Sequence, residues 1–263
     1  MATTDYTPHW IELDGAANAR TVVPGVLLRS DNLQGLSERD VRELVDQHHL
    51  EVVLDLRTGN ELRLEGPGPM TREPRVRIEH RSLYPEHGNT DVDIYDAVRP
   101  WGPEGESEYP DERPTVKAYM GYLTRRPDSV TESVRAIAKT AGAVLVHCAA
   151  GKDRTGVVVA IALDAAGWDR DLIVADYLAS TDRIDRIIAR LLSSETYRAD
   201  IESSASKQHA PLPGAMERVL ELIDERCGGA AGWLRSNGMD GSELELLAER
   251  LAPARRLCAP HAR

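Results

Sequence analysis

The chain of 263 residues, 41% of them apolar, is long enough to bury a substantial core and reads as one α/β domain over residues 1–263. Its formal net charge of −11 excludes a nucleic-acid coat protein or a polybasic membrane binder, so no nucleic acid and no stable membrane association are expected. Three widely spaced cysteines, Cys148, Cys227 and Cys258, with no basic-then-apolar leader and no membrane-length apolar run, suit a reducing cytoplasm rather than a disulfide framework.

In chain order, Thr21 to Leu28 is strand-like and broken by Pro24-Gly25, which predicts a hairpin. Ser37 is placed as the N-cap of a helix with Val41, Leu44 and Val45 on its inner face. Glu51 to Leu56 reads as a buried parallel strand, and Arg75 to His80 as a further strand with Val76 and Ile78 on one face. Tyr84 to Arg113, rich in Pro, Gly, Asp and Glu, is too long for an ordinary connection and is expected to be a lid or substrate loop. Asp91, Asp93 and Asp96 within it lack the rest of a calcium loop, so no metal is assigned.

Helices are predicted at Thr115 to Thr124 and Ser129 to Lys139. Two more follow at Asp169 to Tyr177 and Arg183 to Leu192, then one ending before Cys227 and two short ones near Gly232 to Arg235 and Ser242 to Leu251. Ser193 to Gln208 reads as a polar connection within a helical C-terminal region, residues 182–263. Strands alternating with helices predict a mostly parallel central sheet with helices on both faces.

The most informative segment is His147-Cys148-Ala149-Ala150-Gly151-Lys152-Asp153-Arg154-Thr155-Gly156, between the short apolar run Ala143 to Val146 and the longer, Ala-containing run Val157 to Leu163. The first run predicts a strand and the second a helix. Gly151 permits a tight curl between them. A curled loop opening a helix aims backbone N–H groups into one bowl at the positive end of the helix dipole, which suits a phosphate. Cys148 at its base is a nucleophile whose thiolate is favoured there, Arg154 is a two-pronged clamp, and Lys152 adds positive charge. The implied chemistry is in-line attack of sulfur on phosphorus followed by hydrolysis of a phosphocysteine, with Thr155 donating its hydroxyl to the sulfur.

A buried filler cysteine leaves Gly151, Arg154 and Thr155 unexplained. A nucleotide-binding Walker loop fails because Asp153 follows Lys152. Cys148-X5-Arg154 with its neighbours resembles the phosphate loop of the cysteine-dependent protein tyrosine phosphatase superfamily. The longer string Gly151 to Gly156 is similar to its bacterial tyrosine/serine phosphatase branch. Leu28-Arg29-Ser30, Asp55-Leu56-Arg57-Thr58 with Glu61, Asp176-Tyr177-Leu178 and Gly232 to Gly238 fall where that family has similar words.

The resemblance implies a metal-independent phosphomonoester hydrolase without cofactor. It implies a protein tyrosine or dual-specificity phosphatase first, then a phosphatase for a small metabolite or nucleoside phosphate, and third a phosphoinositide phosphatase. A catalytically silent phosphate-binding module is opposed by the intact Cys148, Asp153 and Arg154. No Trp-Pro-Asp loop occurs, so the general acid is sought at Asp153, which the resemblance favours, or at Asp55 on the ligand-binding edge of the predicted sheet. Lys152 either receives a second anionic group or assists generally. Arg57 and Glu61 are expected to brace the loop, His147 to tune the thiol, and Arg29 to pair with a carboxylate or touch substrate.

Overall fold

Residues 6–85, 108–203 and 209–252 are described by the structure, a computed structural model. Strands β1 (His9–Trp10), β2 (Arg20–Val23), β3 (Leu27–Ser30), β4 (Leu50–Asp55), β5 (Arg77–His80) and β6 (Ala143–His147) form a six-stranded sheet in the order β1-β2-β3-β6-β4-β5. The β3–β6, β6–β4 and β4–β5 pairings are parallel, while β1–β2 and β2–β3 are antiparallel. The Pro24-Gly25 turn therefore closes a hairpin, with the Val26 N–H donating to the Val23 carbonyl at 3.0 Å.

Alternation along the central strands splits the apolar residues between two cores. Val52, Leu54, Val144 and Val146 face one, and Val53, Ala143 and Leu145 face the other.

The helices in chain order are α1 (Glu38–Arg42), α2 (Gly59–Glu65), α3 (Pro114–Arg125), α4 (Pro127–Lys139), α5 (Asp153–Ala165), α6 (Arg170–Ala179), α7 (Ile184–Ser193), α8 (Glu195–Ser203), α9 (Ala215–Cys227), α10 (Ala230–Ser236) and α11 (Gly241–Leu251). Helix α5 is buried from Thr155 through Leu163, which is why its sequence is apolar on every side. It runs through the larger core, packed with α3, α4, α6, α9, α10 and α11. The opposite face carries a thinner cover. There α1, capped reciprocally by Ser37 and Asp40, passes into a π-helical turn (Glu43–Gln47) that buries Leu44 and Val45. Helices thus lie on both faces, as expected, though unequally.

Ile78 lines a cavity with Leu33, Val53 and Met70 on the face that buries Val76, but is 39% exposed because β5 is an edge strand. One expectation is corrected. Ser193 to Gln208 is not simply a connection. It contains α8, which buries Tyr197 against Ile187, Leu191 and Ala149. Most of the segment 84–113, including Asp91, Asp93 and Asp96, lies outside the described residues, whereas its ends Tyr84 and Tyr109 pack into the core. Among the described residues no helix is long and apolar enough to cross a membrane.

Candidate active site

Strand β6 ends at His147 and α5 begins at Asp153, so residues 148–152 form the loop between them at the carboxyl edge of the parallel strands. Its curl is set at Gly151, whose φ is +65°. A Cβ there would meet the Ser30 carbonyl oxygen at 2.3 Å, so only glycine lets the loop lie against β3.

The loop carbonyls are held from outside. Asn32 N–H donates to Ala149 O at 3.0 Å. Asn18 Nδ2 donates to Ala150 O and Gly151 O at 3.0 and 3.1 Å, and Arg29 Nη2 to Gly151 O at 2.8 Å. A trans peptide places its N–H opposite its C=O, so anchoring the carbonyls outward turns the following N–H groups inward. Lys152, the N-cap of α5, makes no side-chain capping bond, so the helix's first N–H groups also remain open to an anion.

Behind the loop lies a buried charge network. Asp176 on α6 pairs with Arg20 Nε at 2.9 Å and with Arg29 Nη1, and it accepts the Tyr6 hydroxyl at 2.8 Å. Burial raises the Asp176 carboxyl, but the two arginines and the Tyr6 hydrogen bond outweigh this and hold it far below the usual range. Arg29 is 1% exposed and grips the back of the loop, so of its two expected roles the structure places it as a carboxylate's partner.

Cys148 sits at the loop's base, 2% exposed, in a cavity of about 250 Å³ shared with Glu61, Lys152, Asp153 and Arg154. Its walls include Tyr84, Ile187, Ile188, Leu191 and Tyr197. Thr155, fully buried in the first turn of α5, has a hydroxyl without a hydrogen-bond partner among the described residues.

Arg154 is fixed by Glu61. Its Nη1 and Nη2 donate to the two carboxylate oxygens at 2.7 and 2.9 Å. Glu61 is itself set by the capping box that opens α2, where it accepts the Thr58 N–H at 2.7 Å. Burial raises the Glu61 carboxyl, but Arg154 beside it prevails and keeps it below its usual value.

Asp153 stands at the mouth, its side chain 36% exposed, and accepts the Tyr119 hydroxyl. Lys152 folds over toward it, with Nζ 3.4 Å from Asp153 Oδ2, and donates to the His209 carbonyl.

Asp55 is elsewhere. It binds Arg57 through both oxygens, at 2.9 and 2.6 Å, and lies 3.4 Å from His147 Nε2. It lines a separate cavity with Leu33, Val53 and Met70. Burial raises its carboxyl, but His147 and Arg57 drive it well below the usual range. His147 is wedged between Asp55 and the Cys148 carbonyl, 3.3 Å from Nδ1, as a brace for the loop.

The sequence did not single out Asn18, Asn32, Tyr119 and Tyr84. Asp176 and Tyr177 drew notice only as part of a short word. None carries a local signal, because each acts across more than one element. Among the described residues, no cluster of three or more metal-ligating side chains is assembled.

The profile of a family described as "Tyrosine phosphatase family" matches residues 12–253. The chain belongs to the tyrosine phosphatase family. Among curated relatives it is 30% identical over 266 residues to the triple specificity protein phosphatase PtpB of Mycobacterium tuberculosis, spanning 91% of this chain and 95% of that protein. It is 27% identical over 259 residues to the tyrosine-protein phosphatase of Nostoc commune, spanning 95% of this chain and 82% of that one. Solved structures include TpbA of P. aeruginosa in complex with phosphotyrosine (14% identity, 76% of this chain, 98% of that chain, TM-score 0.33) and the Siw14 catalytic core (16%, 81%, 96%, 0.36). As a tyrosine phosphatase family member, the protein is a cysteine-dependent phosphatase that works through a phosphocysteine.

Proposed function

We propose that the protein hydrolyses phosphotyrosine in proteins, with residues 1–263 acting as one phosphatase domain in a cytoplasmic setting that keeps Cys148 reduced. The observation that carries this reading is the position of Cys148 and Arg154 at the floor of a cavity whose walls are aromatic and aliphatic. A phosphate on a flat, apolar stem fits such walls better than one on a hydroxylated sugar or inositol ring.

In this reading the Cys148 thiolate attacks phosphorus in line with the leaving oxygen. The loop N–H groups from Ala149 to Thr155 hold the equatorial oxygens as charge develops on them. Glu61 occupies the Nη1/Nη2 edge of Arg154 and leaves the Nε/Nη2 edge for two phosphate oxygens. Asp153 gives its proton to the leaving phenolate, then takes one from the water that cleaves the phosphocysteine. The Thr155 hydroxyl, without a partner among the described residues, serves the sulfur as it leaves. Lys152, already tied to His209 and Asp153, acts as a general electrostatic aid rather than a receptor for a second phosphate.

The test is phosphate release, in EDTA, from phosphotyrosine and phosphoserine peptides, phosphoinositides, and nucleotide and sugar phosphates, with Cys148→Ser as the blank. Phosphotyrosine peptides are expected to lead in kcat/KM by orders of magnitude. A nucleotide or sugar phosphate in first place overturns the substrate assignment, and residual turnover by Cys148→Ser overturns the covalent route.

A further inference from the structure

Asp153 is held from behind by two buried phenols from different helices. Tyr119 on α3 and Tyr177 on α6 are each 1% exposed, so their hydroxyls must find partners inside the protein. The Leu212 N–H donates to Tyr177 Oη at 3.1 Å, the two phenol oxygens lie 2.9 Å apart, and Tyr119 Oη donates to Asp153 Oδ1. Each phenol has one hydrogen. Tyr119 commits its hydrogen to Asp153, so the contact between the phenols is filled by the hydrogen of Tyr177. Burial and the charge of Asp153 push both phenols up, so both stay protonated donors.

Resting on Asp153 as the general acid, we propose that Tyr119 and Tyr177 are positioning residues whose one-way hydroxyl relay holds Oδ1 and leaves Oδ2, 3.4 Å from Lys152 Nζ, as the oxygen that carries the catalytic proton. In the first step the Oδ2–H bond breaks as the leaving oxygen gains that hydrogen. In the second a water O–H bond breaks and Oδ2–H re-forms as the oxygen of that water attacks phosphorus. Oδ1 accepts from Tyr119 whether Asp153 is ionised or protonated on Oδ2, so the relay keeps its direction throughout the cycle.

The same connection holds the neighbouring charge. His209 O takes Lys152 Nζ, and Leu212 N–H starts the relay to Asp153, so residues 209–212 tether both polar tips of the loop.

The experiment compares kcat/KM, which reports the step from free enzyme through phosphoenzyme formation, for phenyl phosphate and 4-nitrophenyl phosphate. Tyr119→Phe, Tyr177→Phe, Asp153→Asn and the double variant Tyr119→Phe/Asp153→Asn are measured with circular dichroism as the folding check. Tyr119→Phe is expected to lose about 10-fold on phenyl phosphate and far less on 4-nitrophenyl phosphate, a fraction of the full contribution of a general acid. Tyr177→Phe should follow in the same direction with a smaller loss. The double variant should be no slower than Asp153→Asn alone, because the relay acts only through that carboxyl. Equal losses on both substrates in Tyr119→Phe and Tyr177→Phe, or multiplying losses in the double variant, would show the phenols to be scaffold and overturn the relay. Should Asp153→Asn itself fail to discriminate between the substrates, the acid assignment falls and the relay with it. That outcome is distinct from loss of the phosphatase reading, which Cys148→Ser tests.

Discussion

Glu61 and Arg154 meet fork to fork, at 2.7 and 2.9 Å, with Glu61 fixed at the third position of α2 and Arg154 in the first turn of α5. The pair ties the start of one helix to the phosphate loop and orients the free edge of the guanidinium. Glu61→Ala leaves Arg154 charged and buried without its partner, at a cost of about 3–5 kcal/mol in folding stability. Phosphate hydrolysis should fall about 10- to 100-fold in kcat as the clamp loses its aim. Inorganic phosphate should still raise the melting temperature, because the positive charge remains. A variant with normal kcat would show that Arg154 is positioned without Glu61.

Arg154→Lys separates charge from shape. Lysine keeps the positive charge but loses the planar fork, and its single ammonium cannot meet Glu61 and two phosphate oxygens together. Steady-state kinetics should show kcat/KM reduced by about 100-fold or more, the scale of losing an oriented donor at a developing negative charge. Near-wild-type kinetics would refute the bidentate geometry.

Gly151→Ala tests the curl of the loop. The alanine would sit at a φ of +65° with its Cβ 2.3 Å from the backbone oxygen of Ser30, and a backbone atom on β3 cannot swing aside. The strain is about 1–3 kcal/mol, relieved only by lifting the loop from β3 and its N–H groups from the phosphate. Chemical denaturation and phosphate inhibition measured together should show both stability and anion affinity reduced. A change in stability alone would place the phosphate-binding groups elsewhere in the loop.

The sheet and the phosphate loop were legible because their signals are local. The β-branched run 143–146, Gly151, and Cys148 with five residues between it and Arg154 all lie within a dozen positions. Ser37 marked a helix start for the same reason. Helix α8 was hidden because only Tyr197 among its described side chains is buried, which leaves a short polar helix with little periodicity. Asp55 looked catalytic from its place at a strand end. What sets it apart from the phosphate loop's cavity is tertiary, the joint grip of Arg57 and His147. Tyr119 was invisible as a site residue because its role depends on α3 and α6 meeting beside a loop 34 residues away in sequence.

Asp176 links the stability of the site to pH. Its carboxyl, far below the unfolded value of about 3.9, binds fewer protons folded than unfolded over the acid range. The ion pairs with Arg20 and Arg29 therefore contribute fully above that unfolded value, and their contribution is lost as pH falls from there toward the folded value. Unfolding free energy measured in urea should drop steeply below about pH 4. Asp176→Asn should be less stable at neutral pH by about 3–5 kcal/mol, since it leaves two buried arginines without their counter-charge, and its acid slope should flatten. Its kcat should fall as well, because Arg29, which donates to both Asp176 and the Gly151 carbonyl, loses the partner that orients it against the loop. Parallel stability curves for wild type and Asp176→Asn would assign the acid sensitivity to other carboxylates, Glu61 and Asp55 first, since both are buried and lowered by their neighbours, Arg154 for Glu61 and His147 with Arg57 for Asp55.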